Sequence, residues 1–234
     1  SPFRHIFVTL AVVVCASASV LALTDPARAA LSPSHRASLA TSSTIAVAGS
    51  SAVRGSALSW SDEFSGAAGT RPDRQKWSYN TGGTGWGNKE LEAASGSCWY
   101  GTCTHQSARL TTLGTFSQQY GHIEARIKVP SGSGLWPAFW ALDTNVYANP
   151  DPAYAETDIM EYVGNEPGAV YASLHGILPT VRMNSCVGYT LPGGAPYSNA
   201  FHVFAADWTT SGVTFSVDGH PTATRTRASY GSAW

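Results

Sequence analysis

Three acids fall within six positions of the stretch AYAETDIMEYVG, residues 153–164: Glu156, Asp158 and Glu161. They stand among β-branched and aromatic residues, in a chain whose charged residues make up only 12% against roughly 25% in ordinary globular domains. On a regular strand Glu156, Asp158 and Met160 share one face, while Glu161 points into the face of Thr157 and Ile159. A charged glutamate buried on that face would be costly. One extra residue, a β-bulge, returns Glu161 to the face of the other two acids. Three carboxyl groups crowded on one face repel each other, so at least one holds its proton more tightly than usual. That is what a general acid beside an ionised nucleophile requires, and two carboxyl groups about 5–5.5 Å apart across a sugar ring describe retaining glycoside hydrolysis. Spacing alone leaves two other readings open, an acidic strand face in solvent and a calcium site, since calcium also takes clustered carboxylates.

The elements that must position these acids read as strands. In HIEARIKV, residues 122–129, Ile123, Ala125, Ile127 and Val129 alternate with polar residues, the period of a strand with one buried face. VTFSVDG repeats the alternation and closes on Asp218-Gly219, a hairpin signal. AVYASLHG and FHVFAADWT are further strand-like runs, and SGSG and NPDP mark turns between strands. No stretch keeps helical periodicity over three turns. These features predict an all-β fold, with a strand spacing that favours a sandwich.

Composition narrows the partners. The chain has 234 residues and a net charge of -1, which points away from nucleic acid and anionic membranes and suits a neutral ligand. Arg4 and His5 precede an apolar run of eighteen residues, and ARAA at 27–30 offers a cleavage site. Residues 1–30 are read as a secretory signal peptide, with a single membrane anchor as the alternative because eighteen residues is near the lower limit for spanning. Residues 31–56 are rich in Ser and Ala and contain no aromatic residue, the composition of a linker or pro-segment. All eight tryptophans follow, which sets the start of the domain near Ala57. Cys98 and Cys103 flank WYGT, a spacing that can close a small disulfide loop in an exported protein. Cys186 is left as a buried free thiol or half of a pair. There is no C-x-x-C or H-E-x-x-H, the seven histidines are scattered, and no metal site is expected. GGTGWGN is a near miss for a dinucleotide fingerprint, but no strand precedes it and no helix follows.

With these residues in view, ETDIMEY resembles the E-x-D-x-x-E signature of glycoside hydrolase family 16, in its bulged, laminarinase-like form. WSDEF (60–64), GWGNKELE (85–92), SARL (107–110), YGHIEARIKVPSGSGLWPAFWALD (120–143), SLHG (173–176) and FHVFAADWT (201–209) are similar to the same family in the same order. Each motif alone is modest; together and in order they are highly specific. The resemblance covers residues 57–234, the catalytic domain. It implies a β-jelly-roll of two curved antiparallel sheets, concanavalin A-like, with a cleft on the concave face. It also implies endo-hydrolysis, with retention, of β-1,3-glucan of the laminarin kind or of mixed β-1,3-1,4-glucan. Glu156 would be the nucleophile, Glu161 the acid/base and Asp158 its partner in holding Glu156. Trp86 and Trp136 would be sugar platforms, and Asn88 and His175 would donate hydrogen bonds near the scissile bond. Glucose stacks its apolar faces on indole rings, which supports the platform role. Trp60, Trp140 and Trp208 are assigned instead to core packing.

The chain departs from the family at several points. Ala155 and Thr157 replace the usual Gly and Ile around the first acid, and Asp151 stands where many relatives carry a tryptophan. A stretch between ELEAAS and CWYGTC is short, and the sequence stops at YGSAW, so some strands are expected to be missing, with open sheet edges as the result. The reading is therefore a secreted, extracellular and monomeric endo-β-glucanase with a polysaccharide partner. It has no nucleic-acid partner and no stable membrane association once the signal is removed. It requires no cofactor; a structural calcium is possible in the family, with no ligands assigned here. The alternatives are a non-catalytic β-glucan-binding protein, an inactive fragment, or a galactan hydrolase of the same family.

Overall fold

The computed structural model describes residues 6–14, 58–83, 92–93, 98, 101–102, 105–144, 154–178 and 181–230. Trp86, Asn88 and Cys103 lie outside the described residues.

Within them the chain is all-β. The strands are β1 (Ile6–Val14), β2 (Ser78–Asn80), β3 (Glu92–Ala93), β4 (His105–Gln106), β5 (Arg109–Thr111), β6 (Gly121–Ile127) and β7 (Leu135–Asp143). They continue with β8 (Tyr154–Glu161), β9 (Ala169–Leu178), β10 (Val181–Thr190), β11 (His202–Trp208), β12 (Gly212–Val217) and β13 (His220–Thr226). Among the described residues α-helix is limited to Arg227–Tyr230. Seven strands form one antiparallel sheet in the order β10-β9-β8-β7-β1-β5-β2, and four form a second in the order β13-β12-β11-β6.

The alternation that predicted β6 is the alternation that builds the core. Ile123, Ala125 and Ile127 are buried, while His122 is exposed and Glu124 and Arg126 are half-buried on the other face. On β7 the set Pro137, Phe139 and Ala141 is buried, leaving Trp136, Ala138 and Trp140 on the face turned away from the core. Phe139, Ile159, Met160, Tyr162, Leu174, Tyr197, Phe204, Phe215 and their neighbours close the space between the two sheets. The hairpin signal also holds. Val217 pairs with His220, and Asp218 and Gly219 both take positive φ, at 49° and 76°, the conformation of a two-residue turn that matches the strand twist. Asp218 then accepts the Val203 backbone N–H (2.8 Å) and bonds His202 Nδ1 (2.7 Å), tying the turn to β11.

Trp208 is buried in this core, as expected. Trp60 belongs to a separate aromatic group, edge-on to Trp77 (5.2 Å between centroids) and stacked on Phe116 (5.7 Å). Trp140 corrects the sequence reading. It is half-buried on the face away from the core, because it lies an even number of residues from the exposed Trp136. Cys186 is a second correction: it is free, and it is exposed rather than buried. Cys98 is disulfide-bonded.

The apolar run at the N-terminus, expected as a leader, supplies β1. It runs antiparallel to β7 from Ile6 opposite Asp143 to Val14 opposite Leu135, and on its other side pairs with β5 through Thr9, Leu10 and Ala11. Its β-branched content suits a strand. The same residues cannot be both a removed leader and a central strand. If β1 belongs to the mature sheet, a chain starting at residue 31 exposes the facing edges of β5 and β7. It should then melt well below the 1–234 chain in a scanning calorimeter; equal melting temperatures would show the sheet to be independent of β1.

Gly164 sets the exit from β8. Its N–H donates to the Leu135 carbonyl (2.8 Å), and a Cβ there would lie 1.8 Å from the carbonyl oxygen of Gly132. That atom is backbone and cannot swing aside. Gly164→Ala should cost about 1–3 kcal/mol, the usual range for overpacking, read as a lowered denaturant midpoint at unchanged m-value.

Candidate active site

The acid cluster is made by a register shift in β8. Across β7, Leu142 faces Glu156, Ala141 faces Thr157 and Trp140 faces Asp158, but the next β7 residue, Phe139, faces Met160. Ile159 is therefore the extra residue of a bulge, and Ala138 comes to face Glu161. The same shift shows against β9, where Glu156 faces His175, Asp158 faces Ser173 and Glu161 faces Tyr171. Ile159 and Met160 are both buried in the core, at 4% and 1% exposure. With both apolar side chains turned inward, Glu161 returns to the side of Glu156 and Asp158.

The neighbours of each acid are specific. Trp136 Nε1 donates to Glu161 Oε1 (3.2 Å), and Ser173 Oγ donates to Glu161 Oε2 (3.0 Å). These two bonds fix the plane of the carboxyl group. Asp158 is 4% exposed, with its Oδ2 3.4 Å from His175 Nε2. Glu156 bonds Asp158 and feels the positive charge of Arg109, which reaches over from β5 with its guanidinium carbon 4.8 Å from the centre of the Trp140 ring.

This bulged pair of glutamates, with an aspartate between them, decides the family, and the sequence pattern of glycosyl hydrolases family 16 matches residues 74–232. The chain belongs to this family. It is 36% identical over 184 residues to a "Beta-glucanase" of Rhodothermus marinus, covering 69% of this chain and 62% of that protein. It is 30% identical over 202 residues to "Glucan endo-1,3-beta-glucosidase A1" of Niallia circulans, covering 72% of this chain and 29% of that one. The chain thus spans less than two thirds of the length of either relative. Among solved structures it is similar to the laminarinase catalytic domain of Thermotoga maritima, with a TM-score of 0.65 and 33% identity, covering 74% of this chain and 78% of that one.

Within this family 16 site the protons are unevenly shared. Burial pushes Asp158 well above the usual carboxylate range, and the nearby Glu156 and Glu161 push it further. Burial also raises Glu156, and Glu161 adds to this, but His175, the hydrogen bond from Asp158 and Arg109 act against the rise. The pair is thus arranged with the proton on Asp158, which donates it to Glu156. Chemically, the face offers a carboxylate held ready beside a protonated neighbour, and a second carboxyl group oriented by an indole and a hydroxyl.

Of the residues singled out from sequence, the structure brings together Glu156, Asp158, Glu161, Trp136 and His175. Trp136 is 39% exposed beside Glu161, and the His175 side chain is 33% exposed. Sequence reasoning passed over Ser173 and Arg109 as site residues and placed a third neighbour, Trp140, in the core. Ser173 lies two residues before His175, so strand alternation could have placed it. Trp140 lies four after Trp136 and was open to the same argument. Arg109 had no such signal, since β5 is separated from β7 by β1.

The raised acids predict a pH effect on stability. Folded Asp158 binds its proton more tightly than the unfolded chain does. Its contribution is complete below its ordinary value of 3.8 and is lost as pH rises through the folded value. Asp158→Asn removes this titration. Its melting temperature relative to the wild type should therefore climb as pH is raised from about 4 to 8; a pH-independent difference would show Asp158 to be ionised throughout.

Proposed function

We propose that this chain is the catalytic part of an endo-β-glucanase. It cleaves β-1,3-glucan of the laminarin kind, or mixed β-1,3-1,4-glucan, with retention at the anomeric carbon. The observation that carries the reading is the bulge at Ile159, which returns Glu161 to the face of Glu156 and Asp158. Glu156 attacks the anomeric carbon while Glu161 protonates the departing oxygen. Glu161 then takes a proton from the water that releases the glycosyl group. Asp158 donates a hydrogen bond to Glu156 in the resting state. As Glu156 becomes an ester its negative charge disappears, and Asp158 keeps its proton, so neither group of the pair carries a buried charge at that stage.

Substrate class follows from the surroundings. Trp136 presents an exposed indole beside Glu161, a surface suited to the apolar face of a glucose ring. The names of the two curated relatives refer to glucans, which supports the same class. A polymeric glucan does not cross a membrane, so we place the reaction outside the cell.

The test is release of new reducing ends from laminarin, lichenan, agarose and carrageenan. Cleavage of one of the two β-glucans is expected; activity confined to agarose or carrageenan would move the assignment to a galactan hydrolase. Proton NMR of the first product should show the β-anomer, and an initial α-anomer would rule out Glu156 as nucleophile. Glu161→Gln should lower kcat by about 10²–10⁴-fold with glucan binding retained, whereas a pure binding protein would hydrolyse nothing before or after the change.

A further inference from the structure

Asp158 Oδ2 is a buried oxygen with no hydrogen-bond partner. The nearest group is His175 Nε2 at 3.4 Å, close enough for an ion pair but not placed to donate a hydrogen bond. Two ligand atoms bound tetrahedrally to one zinc ion, each about 2.0–2.1 Å from it, lie about 3.3 Å apart. The gap between the orphaned oxygen and the imidazole nitrogen is thus the bite of a zinc site. A carboxylate oxygen of Glu161 completes a set of three donor atoms that all lie within 4.8 Å of one another. We infer that Asp158, Glu161 and His175 form a binding site for a divalent transition-metal cation of the zinc type, and that occupation of this site switches the acid cluster off.

The donor set selects the ion. One imidazole with two carboxylates suits zinc and its neighbours, whereas calcium and magnesium take oxygen ligands and larger shells. Access is open, since His175 and Glu161 are only half-buried on the face away from the core. To bind, Glu161 must give up part of its bonding to Trp136 and Ser173, a shift that its rotatable side chain allows. Three protein ligands leave a fourth position for water. The consequence follows from lone pairs. A metal on Glu161 removes the group that would carry the proton, and a metal on Asp158 displaces the proton that Glu156 accepts.

The inhibitory consequence rests on the proposed hydrolysis; the binding does not, so the two are measured separately. Titration of the full chain with zinc chloride in a calorimeter, in chelator-free buffer, should give one saturable site. EDTA should reverse the accompanying shift in melting temperature. His175→Ala should weaken this binding about tenfold or more, since even outer-shell partners are worth 10–100-fold. His175→Gln, which keeps a polar side chain on β9, should do the same, and far-UV circular dichroism reports whether each variant is folded. Cys186→Ser should bind zinc as the wild type does. Absence of a saturable site at about millimolar zinc, with unchanged melting temperature, overturns the inference. So does undiminished affinity in both folded His175 variants, or loss of binding in Cys186→Ser, which would assign the metal to the thiol. Zinc should also stop reducing-end release from laminarin and EDTA restore it. Zinc binding in a protein that cleaves no glucan would sink the hydrolase reading and leave the metal site standing.

Discussion

A strand alternates its side chains with a period of two, and the segment ETDIMEY cannot satisfy that period with three acids on one side. The conflict is resolved at Ile159, the residue with no partner on β7. What holds the bulge is burial. Ile159 and Met160 both enter the core, and each such side chain contributes about 1.5–3 kcal/mol when removed from water. Shifting the register by one residue would carry one of them out and carry Glu161 in, and an ionised group taken out of water costs several kcal/mol even after relaxation. Both terms have the same sign, so the register is fixed from the core side. The acid cluster on the far face is a consequence of apolar packing behind it.

Once the three acids share a face, electrostatics decides their division of labour. Asp158 is the deepest, and burial together with its two acidic neighbours keeps its proton in place. Glu156 has His175, Arg109 and the Asp158 hydrogen bond to hold down a value that burial raises. Glu161 has Trp136 and Ser173, one on each oxygen. The three environments come from four strands, β5, β7, β8 and β9, brought side by side by antiparallel pairing and by β1 between β5 and β7. The orphaned Oδ2 of Asp158 belongs to the same compromise: the geometry that satisfies Glu156 leaves one lone-pair site without a donor.

The N-terminal segment shows how one sequence property serves two readings. A run rich in Val, Ile, Leu and Ala is hydrophobic enough for a leader and β-branched enough for a strand. In the fold its backbone groups find partners on both sides, in β7 along its whole length and in β5 through Thr9, Leu10 and Ala11.

Much of this was written in the chain itself. The alternation in HIEARIKV and VTFSVDG gave the strands and their buried faces, because a period of two is a local property that burial makes visible. Asp218-Gly219 gave the hairpin, because only residues tolerant of positive φ can make that turn. The uneven step from Asp158 to Glu161 gave the bulge, because the alternative was a buried charge. Tertiary structure decided the rest. Trp140 was assigned to the core and lies on the acid face, since an aromatic residue suits either side and only its phase relative to Trp136 distinguishes them. Cys186 proved exposed, and Arg109 reached the site from a strand two places away. The histidines looked scattered and unsuited to metal, yet His175 sits 3.4 Å from Asp158, seventeen positions away in sequence. Local periodicity reports which face a residue takes; which strands lie side by side is set by long-range pairing, and the proximity of donor atoms follows only from that.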